Sequence, residues 1–357
     1  WPYIFYINIP LGIIATILAL TFVKSPKYGE KLKSNQVDWL GIFLLMAFIG
    51  SLQYVLEHGQ QDDWFNNKTI IILSTITVFG LVLFIWRELT YKRPVVNLGV
   101  LKDGNLRIGT VMCFILGFGL YGSTLIIPIY TQTILGWTAT DAGLLLIPGS
   151  ITTAFMMPIV GKLLQRGVPQ SYMVGLGFLI FFFFTYMMHN NMTPSTGVEH
   201  LYWGLILRGI GLGLLFVPIT TLSLSTLKGK DIGEGAAFTG MMRQLGGSFG
   251  IATITTFITR FNQEHRVNLV SHLDTTRLEV QQRVLTLQKG FMSKGFTANE
   301  SLNKAYQVID YSVMKQSAVL SYMDIFLYLG IMFLCCIPII FLIKKGKNTI
   351  NPADAMH

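Results

Sequence analysis

Residues 201–226 read LYWGLILRGIGLGLLFVPITTLSLST, a stretch that contains one charged side chain, Arg208. A helix needs roughly 20 predominantly apolar residues to cross the hydrocarbon core of a bilayer, and this stretch is long enough. A helix also pairs its backbone polar groups internally, which lipid requires. The stretch therefore predicts a transmembrane helix.

Eight other segments meet the same test, so the sequence predicts an all-α membrane protein of about nine transmembrane helices. The predicted spans are residues 5–23, 38–56, 69–89, 107–130, 141–163, 171–189, 201–226, 235–259 and 321–343. Composition agrees, because 52% of the residues are hydrophobic, 13% are charged, and the mean hydropathy is +0.53. Such a chain has too little polar surface to coat a water-soluble globule.

Lys and Arg concentrate in alternate connections, and positive residues in short connections stay in the cytoplasm. One side holds fifteen of them: Lys24, Lys27, Lys31, Lys33, Lys92, Arg93, Lys102, Arg107, Lys162, Arg166, Lys228, Lys230, Lys344, Lys345 and Lys347. The short connections of opposite parity, residues 57–68, 131–140 and 190–200, hold only Lys68. We therefore predict a cytoplasmic C-terminus. The net charge of +9 reflects this topology, and no basic patch predicts nucleic-acid binding.

The sequence lacks the usual signatures of catalysis. It has no Gly-rich phosphate loop, nucleophile elbow, zinc-ligand pair or pair of carboxylates within a predicted span. Cys113, Cys335 and Cys336 lie in apolar runs, and His265 and His272 have no supporting metal ligands. We therefore expect neither an enzyme, nor a cofactor, nor a metal site.

Two arginines fall inside predicted spans, where a charge is costly and marks a functional candidate. Arg208 lies about seven residues, or roughly 10 Å, inside the seventh span. Arg243, followed by Gln244, lies inside the eighth span. We predict that these three residues serve proton coupling or transport. Structural pairing of each arginine with backbone carbonyls or a cytoplasmic carboxylate is the alternative.

Glycine and proline recur in the same helices, where small residues allow close helix packing and prolines free backbone carbonyls. Such broken helices suit a transporter whose two halves rock against each other. The residues predicted for gating and helix packing are Gly161, Gly209, Gly211, Gly213, Pro218, Gly246 and Gly250.

Three further residues are candidates for a substrate cavity. Tyr121, Tyr130 and Gln132 offer ring faces and an amide to flat lipophilic cations. The tyrosines also suit an interfacial belt or helix packing. Asp141 begins the fifth span and suits a helix N-cap or first-turn acid, with an outer-gate role as the alternative.

Residues 260–320 form a connection of unusual length on the predicted outer side. Leu278, Val284, Leu285 and Leu287, and later Leu302, Ala305, Tyr306, Ile309 and Val313, predict two amphipathic helices among polar neighbours. This segment could contact a partner or the outer mouth of the protein, or form a surface hairpin without a partner.

Several motifs resemble the fourteen-helix drug:proton antiporters of the EmrB/QacA type, within the major facilitator superfamily. Matching stretches are WPYIFYINIPLG at 1–12, VDWLG at 37–41, LIIPIYTQTILGWTATDAGLLLIPGS at 125–150, PIVGKLLQRG at 158–167 and GMMRQLGGSFGIA at 240–252. Gln165 stands where the family's cytoplasmic loop motif often has Asp. The resemblance implies a role for Arg208 in proton coupling.

The resemblance also implies the domain organisation. It assigns 1–24 to the last helix of an N-terminal bundle, 25–106 to cytoplasmic loops and a two-helix linker pair, 107–345 to a C-terminal six-helix bundle with the extracytoplasmic segment 260–320, and 346–357 to a cytoplasmic tail. About five helices are expected upstream of Trp1, with the family's antiporter motif and membrane carboxylates. The resemblance further implies a periplasmic membrane-fusion adaptor as a possible partner of residues 260–320.

The sequence thus predicts a bacterial inner-membrane antiporter, in which protons enter as lipophilic or cationic drugs leave. A narrower cargo such as a siderophore, lipid, amino acid or other metabolite would use the same fold. A proton-channelling subunit of a respiratory complex would need a row of mid-membrane Lys and Glu, which is absent. A non-transporting membrane scaffold is a further alternative.

Overall fold

The computed structural model describes residue 6 and residues 8–22, 38–91, 94–227, 229–274 and 276–342. Much of the predicted loop after the first span and the predicted tail 346–357 lie outside these described residues. Within the described ranges every regular element is helical, in agreement with the predicted all-α class.

Ten α-helices make up this part of the chain. They are α1 (Asn8–Phe22), α2 (Trp39–His58), α3 (Lys68–Thr90), α4 (Gly104–Thr133), α5 (Ala139–Gln165), α6 (Gln170–Asn191), α7 (Val198–Leu224), α8 (Lys230–Ser271), α9 (Leu278–Met292) and α10 (Ala298–Cys335). Short 3-10 helices cover Trp64–Asn66, Leu98–Lys102 and Ile337–Leu342.

Seven described helices are long and apolar enough to cross a membrane, namely α2 to α7 and α10 with its 3-10 extension. The described part of α1 is apolar but has 15 residues. The eighth predicted span lies within α8, which is not among the seven because Arg243, Gln244 and several glycines lower its hydropathy. The structure thus contains a helix at every predicted span.

Local sequence signals fix the start of two helices. Thr138 and Asp141 form a reciprocal capping box at the N-terminus of α5, which confirms the capping interpretation of Asp141. Asp38 caps α2 by accepting a hydrogen bond from the Gly41 N–H at 3.0 Å. Asp38 also pairs with Arg87 of α3 at 3.1 Å, which ties these neighbouring helices together.

Helices α4 to α8 and α10 form one bundle around an aromatic core. The main helix pairs are α4 with α8, α5 with α7, α6 with α7 and α10, and α8 with α10. Phe178, Phe181 and Phe184 of α6 meet Phe326 and Phe333 of α10, and all five are fully buried. The rings of Phe181 and Phe333 stack at 4.0 Å between centroids. Helices α2 and α3 pack on each other, and α2 also contacts α8.

The prediction of a loop at 260–320 is wrong in one respect. Helix α8 continues without a break to Ser271, and α10 begins at Ala298 and runs directly into the last predicted span. The first predicted amphipathic helix is α9, whereas the second is the N-terminal half of α10. The drop in hydropathy near residue 260 therefore marks the end of the apolar segment and not the end of the helix.

Three side-chain pairs join α8 to α10 at and beyond the ends of their most apolar segments. His265 Nε2 lies 2.7 Å from Asp324 Oδ2. The Ser317 hydroxyl donates to Asn262 at 2.5 Å, and Arg266 pairs with Asp310 at 2.8 Å. The two helices consequently project together as a hairpin, with α9 packed against α10.

Glycines allow α4 and α8 to approach until their backbones touch. A β-carbon on Gly246 would collide with the carbonyl oxygen of Phe114, and one on Gly117 would collide with that of Arg243. A β-carbon on Gly250 would lie 2.8 Å from the Phe118 carbonyl oxygen. These contacts are the close approach that small residues permit between membrane helices.

We expect Gly246→Val to destabilise the protein, because its side chain must displace the α4 backbone, and overpacking typically costs about 1–3 kcal/mol. Gly240→Val is the matched control on the same helix, since no atom lies within 4 Å of its built β-carbon. Thermal unfolding and size-exclusion profiles of the detergent-purified full-length protein measure the effect. Equal stability of the two variants would contradict the proposed backbone contact.

Candidate functional site

Arg208 is the buried charge at the centre of the bundle, with 5% of its surface exposed. Its Nε donates to the Ser123 hydroxyl at 2.8 Å, and one terminal nitrogen donates to the Leu120 carbonyl oxygen at 3.2 Å and to the Thr124 hydroxyl. All of these acceptors are neutral and belong to α4. No carboxylate in the described part of the chain forms an ion pair with Arg208.

Arg243 lies at a second level of the same bundle. Its guanidinium carbon is 4.5 Å from the centroid of the Phe216 ring, a cation–π contact between α8 and α7. Phe216 follows Arg208 by eight residues, so the two cationic groups lie roughly 12 Å apart along α7 at 1.5 Å per residue. Arg243 is half-buried, and among the described residues it too has no carboxylate in an ion pair.

Tyr121 and Gln244 meet next to Arg243. The Tyr121 hydroxyl donates to Gln244 Oε1 at 3.1 Å, and 37% of the tyrosine surface is exposed. The Tyr121 ring lies against Gly247, where a β-carbon would collide with it. The structure therefore unites predicted residues from α4 and α8 in one polar cluster on an accessible face.

Tyr130, predicted to line a cavity, lies in the packed interior of the described bundle. Tyr130 is fully buried, its hydroxyl donates to the Thr193 carbonyl oxygen at 2.6 Å, and it lies 2.9 Å from the Thr196 hydroxyl. Its ring packs edge-on against Tyr322. Tyr130 therefore seals the end of the bundle, as the packing alternative predicted. Gln132 is exposed near the end of α4, about 17 Å from the level of Tyr121 at 1.5 Å per residue.

The glycines of α7 allow two neighbouring helices to come close. A β-carbon on Gly209 would collide with Gly149 of α5, and one on Gly213 would collide with Met156 of α5. A β-carbon on Gly211 would lie 3.1 Å from the Phe181 backbone nitrogen of α6. Pro218 is buried further along α7.

Gly161 differs from these glycines. Nothing lies within 4 Å of a β-carbon built on it, so the packing role predicted for Gly161 has no support in the described part of the chain. Close packing of α5 against α7 occurs instead at Gly149, one of the glycines that recur along α5.

Sequence reasoning missed the partners of the two arginines. Ser123 and Thr124 hold Arg208, and Phe216 lies beneath Arg243. Two consecutive hydroxyl residues in the middle of an apolar span could have indicated the first site, because such groups need hydrogen-bond partners in lipid. A phenylalanine within an apolar helix gives no comparable signal.

A multi-pass helical bundle with one buried and one half-buried arginine, and with polar side chains on one face, is typical of a membrane transporter. The chain matches the profile of the Major Facilitator Superfamily over residues 1–251, and it belongs to that family. The members of this family and the proteins similar to this chain are transporters, not enzymes, which confirms the prediction that the chain is not an enzyme.

Three named relatives confirm the predicted resemblance to EmrB-type proteins. The fatty acid resistance protein FarB of Neisseria gonorrhoeae is 30% identical over 345 residues, which is 96% of this chain and 66% of FarB. The multidrug export protein EmrB of Escherichia coli is 29% identical, over 77% of this chain and 53% of EmrB. The probable multidrug resistance protein EmrY of Escherichia coli is 27% identical, over 94% of this chain and 63% of EmrY. The chain thus spans between half and two thirds of their length.

We expect Tyr130→Phe to change the stability of the protein and Tyr121→Phe to change its ligand binding. Loss of the Tyr130 hydroxyl removes its hydrogen bonds to the Thr193 carbonyl oxygen and the Thr196 hydroxyl, and should lower the free energy of unfolding by about 0.5–1.5 kcal/mol. Loss of the Tyr121 hydroxyl should leave thermal stability unchanged and alter ligand binding instead. Thermal unfolding and transport by the full-length variants separate the two roles. Normal stability of Tyr130→Phe would contradict its assignment to the core.

Proposed function

We propose that this chain is part of a proton-coupled antiporter of the bacterial inner membrane that exports lipophilic or cationic drugs by alternating access. Helices α4 to α8 and α10 would form the C-terminal bundle, and α2 and α3 the linker pair. The C-terminus would lie in the cytoplasm, so that α8, α9 and α10 project on the outer side. The names of EmrB and EmrY support the drug cargo.

The observation that carries this proposal is the buried Arg208, held only by neutral groups of α4. Taking a cation out of water costs several kcal/mol, and three hydrogen bonds to neutral oxygens repay only part of it. A charge kept at this cost can respond to the protonation of a carboxylate elsewhere in the protein. Arg208 would thereby link proton binding to movement between α4 and α7.

A polar cluster supports the position of the cargo site. Tyr121 and Gln244 meet on the accessible face formed by α4 and α8, and Arg243, the residue before Gln244, contacts the Phe216 ring of α7. They combine a charge, an amide, a hydroxyl and an aromatic surface, which suits flat amphipathic molecules. Gln132 would contact cargo at a separate level, nearer the end of α4.

The deciding experiment measures ethidium efflux from energised cells that express the full-length protein, with and without a protonophore. Protonophore-sensitive efflux is the expected result. Arg208→Ala should reduce the efflux rate about tenfold or more at unchanged expression, since a hydrogen bond to a charged group is worth about 1.5–3 kcal/mol. Gly240→Val serves as the control for a substitution in the bundle. Full efflux by Arg208→Ala would contradict the coupling role.

The second candidate is a lipid exporter on the same fold, which the two arginines of the described bundle favour. Both arginines lack a carboxylate partner among the described residues, so the bundle attracts an anionic headgroup rather than a cation. FarB, whose name refers to fatty acid resistance, matches 96% of this chain. In this reading Arg243 would bind the carboxylate and Phe216 the start of the acyl chain.

Arg243→Gln separates these two cargoes. If the cargo is a fatty acid, efflux of a fluorescent long-chain fatty acid should fall about tenfold or more, because a charge-assisted bond is lost. Ethidium efflux should stay within about twofold, since a cationic cargo forms no charge-assisted bond with Arg243. Arg243→Lys keeps the charge and should retain most fatty-acid efflux. An equal loss for both cargoes in Arg243→Gln would argue against anion binding at this position.

An adaptor that spans the periplasm would be the protein partner in this proposal, and the α8–α10 hairpin would be its contact. The support is geometric, because α8 and α10 continue as rigid helices beyond their most apolar segments. A stand-alone pump would use the same fold without this contact.

A further inference from the structure

Helix α9 carries apolar side chains on its exposed surface. Leu278, Leu285 and Met292 are 64%, 51% and 47% exposed. They lie seven residues apart, so they fall on one face of the helix. A different face, with Val280 and Val284, is half-buried. Helix α9 therefore has more apolar surface than its packing in this chain uses, and such surface in water marks an interaction site.

The exposed stripe borders a groove of about 470 Å³. Helix α10 lines it with Leu302, Tyr306, Ile309 and Val313, and the end of α8 adds Val270 and Leu273. Leu285, Gln281 and Gln288 of α9 also line the groove, as does Asp310 of α10, whose charge is paired with Arg266. The stripe and the groove thus form one continuous, largely apolar surface on the projecting hairpin.

The spacing of the residues along α9 indicates which kind of partner element this surface can bind. Leu278, Gln281, Leu285, Gln288 and Met292 follow each other at steps of three, four, three and four residues. This is the a/d pattern of a coiled coil, in which the seam faces a second α-helix. The two glutamines occupy the d positions of this pattern.

The bilayer is not the occupant of this surface. Val280 and Val313 line the groove together, and Val313 precedes the last predicted span by eight residues. At 1.5 Å per residue the groove therefore begins roughly 12 Å beyond the apolar part of α10. From there α9 extends further from the membrane, because the Gln288 amide donates to the Ala298 carbonyl oxygen at the far end of α10.

The charges beside the seam determine the chemistry of the partner. Arg277 and Lys289 occupy the g and e positions, whose side chains choose the partner in a coiled coil. Both are exposed and basic. A second copy of α9 would bring basic side chains together, whereas acidic side chains would be attracted.

We propose that α9 is the docking site for an amphipathic helix of a partner protein, with apolar residues at heptad spacing and Glu or Asp beside them. The proposal rests on the proposed function in one respect, that the α8–α10 hairpin projects on the outer side. It adds to that function the face of the hairpin, the form of the partner and the charge of the partner.

A helical peptide probe tests the docking site on the full-length protein in nanodiscs. The probe has Leu at a and d and Glu at e and g, and a second peptide replaces each Glu with Lys. We expect the Glu peptide to bind about five- to thirtyfold more tightly, as two charge pairs worth about 0.5–1 kcal/mol each would give. Leu285→Glu should abolish binding, and Thr286→Glu, at the exposed neighbouring position, should leave it unchanged.

Three results would overturn the proposal: equal binding of both peptides, no binding of either, or dimerisation of the protein that Leu285→Glu abolishes. In cells, a photo-crosslinker at residue 285 should capture an acidic helical segment, and a photo-crosslinker at residue 286 should not. Capture of a second copy of the protein, or of nothing, at residue 285 would overturn the proposal. Ethidium efflux is recorded in the same cells. Efflux without peptide binding or crosslinking refutes only the docking site, whereas absent efflux with binding refutes only the proposed transport.

Discussion

The close approach of α4 and α8 is the constraint on which the rest of the described structure depends. Gly117 and Gly246 let each helix touch a backbone carbonyl of the other, and no larger side chain fits at either position. This contact sets the distance at which the Tyr121 hydroxyl reaches Gln244. It also fixes α4 beside α7, where its hydroxyl groups meet Arg208. A small-residue contact thus organises a polar network in surroundings that are otherwise apolar.

The charge distribution of the bundle follows from this arrangement. Arg208 is surrounded by neutral oxygens, and Arg243 by an aromatic ring. Ion pairs in the described ranges occur instead at or beyond the ends of the apolar segments, between Asp38 and Arg87, His265 and Asp324, and Arg266 and Asp310. Pairs at these ends fasten helices to each other. The inner cations keep their charge available for a group that arrives from elsewhere, because their local partners carry no charge.

Sequence predicted most of the fold because the lipid environment leaves few structures open to a chain. Hydropathy located a helix at every predicted span, and the isolated charge of Arg208 was found buried. The errors have physical causes. Helix α4 is apolar on all sides, so periodicity could not show that Tyr130 faces the core and Tyr121 the open face. A glycine can mark a contact or open space, and only the neighbouring helix distinguishes Gly246 from Gly161. Hydropathy also shows where the apolar segment of α8 ends. The helix continues past that point because its backbone hydrogen bonds form within the helix and do not depend on surrounding lipid.

Because α8 is one unbroken helix, a small tilt at one end would displace its other end over a longer distance. Ser271 lies 25 residues beyond Gly246, or roughly 37 Å along a rigid helix at 1.5 Å per residue. A tilt of about 10° at the Gly246 contact would therefore displace the tip by roughly 6 Å. The links from His265, Asn262 and Arg266 would carry α10 along with it. In the proposed topology, small rearrangements near Arg208 and Arg243 would in this way be amplified into a displacement that a second protein outside the membrane could sense.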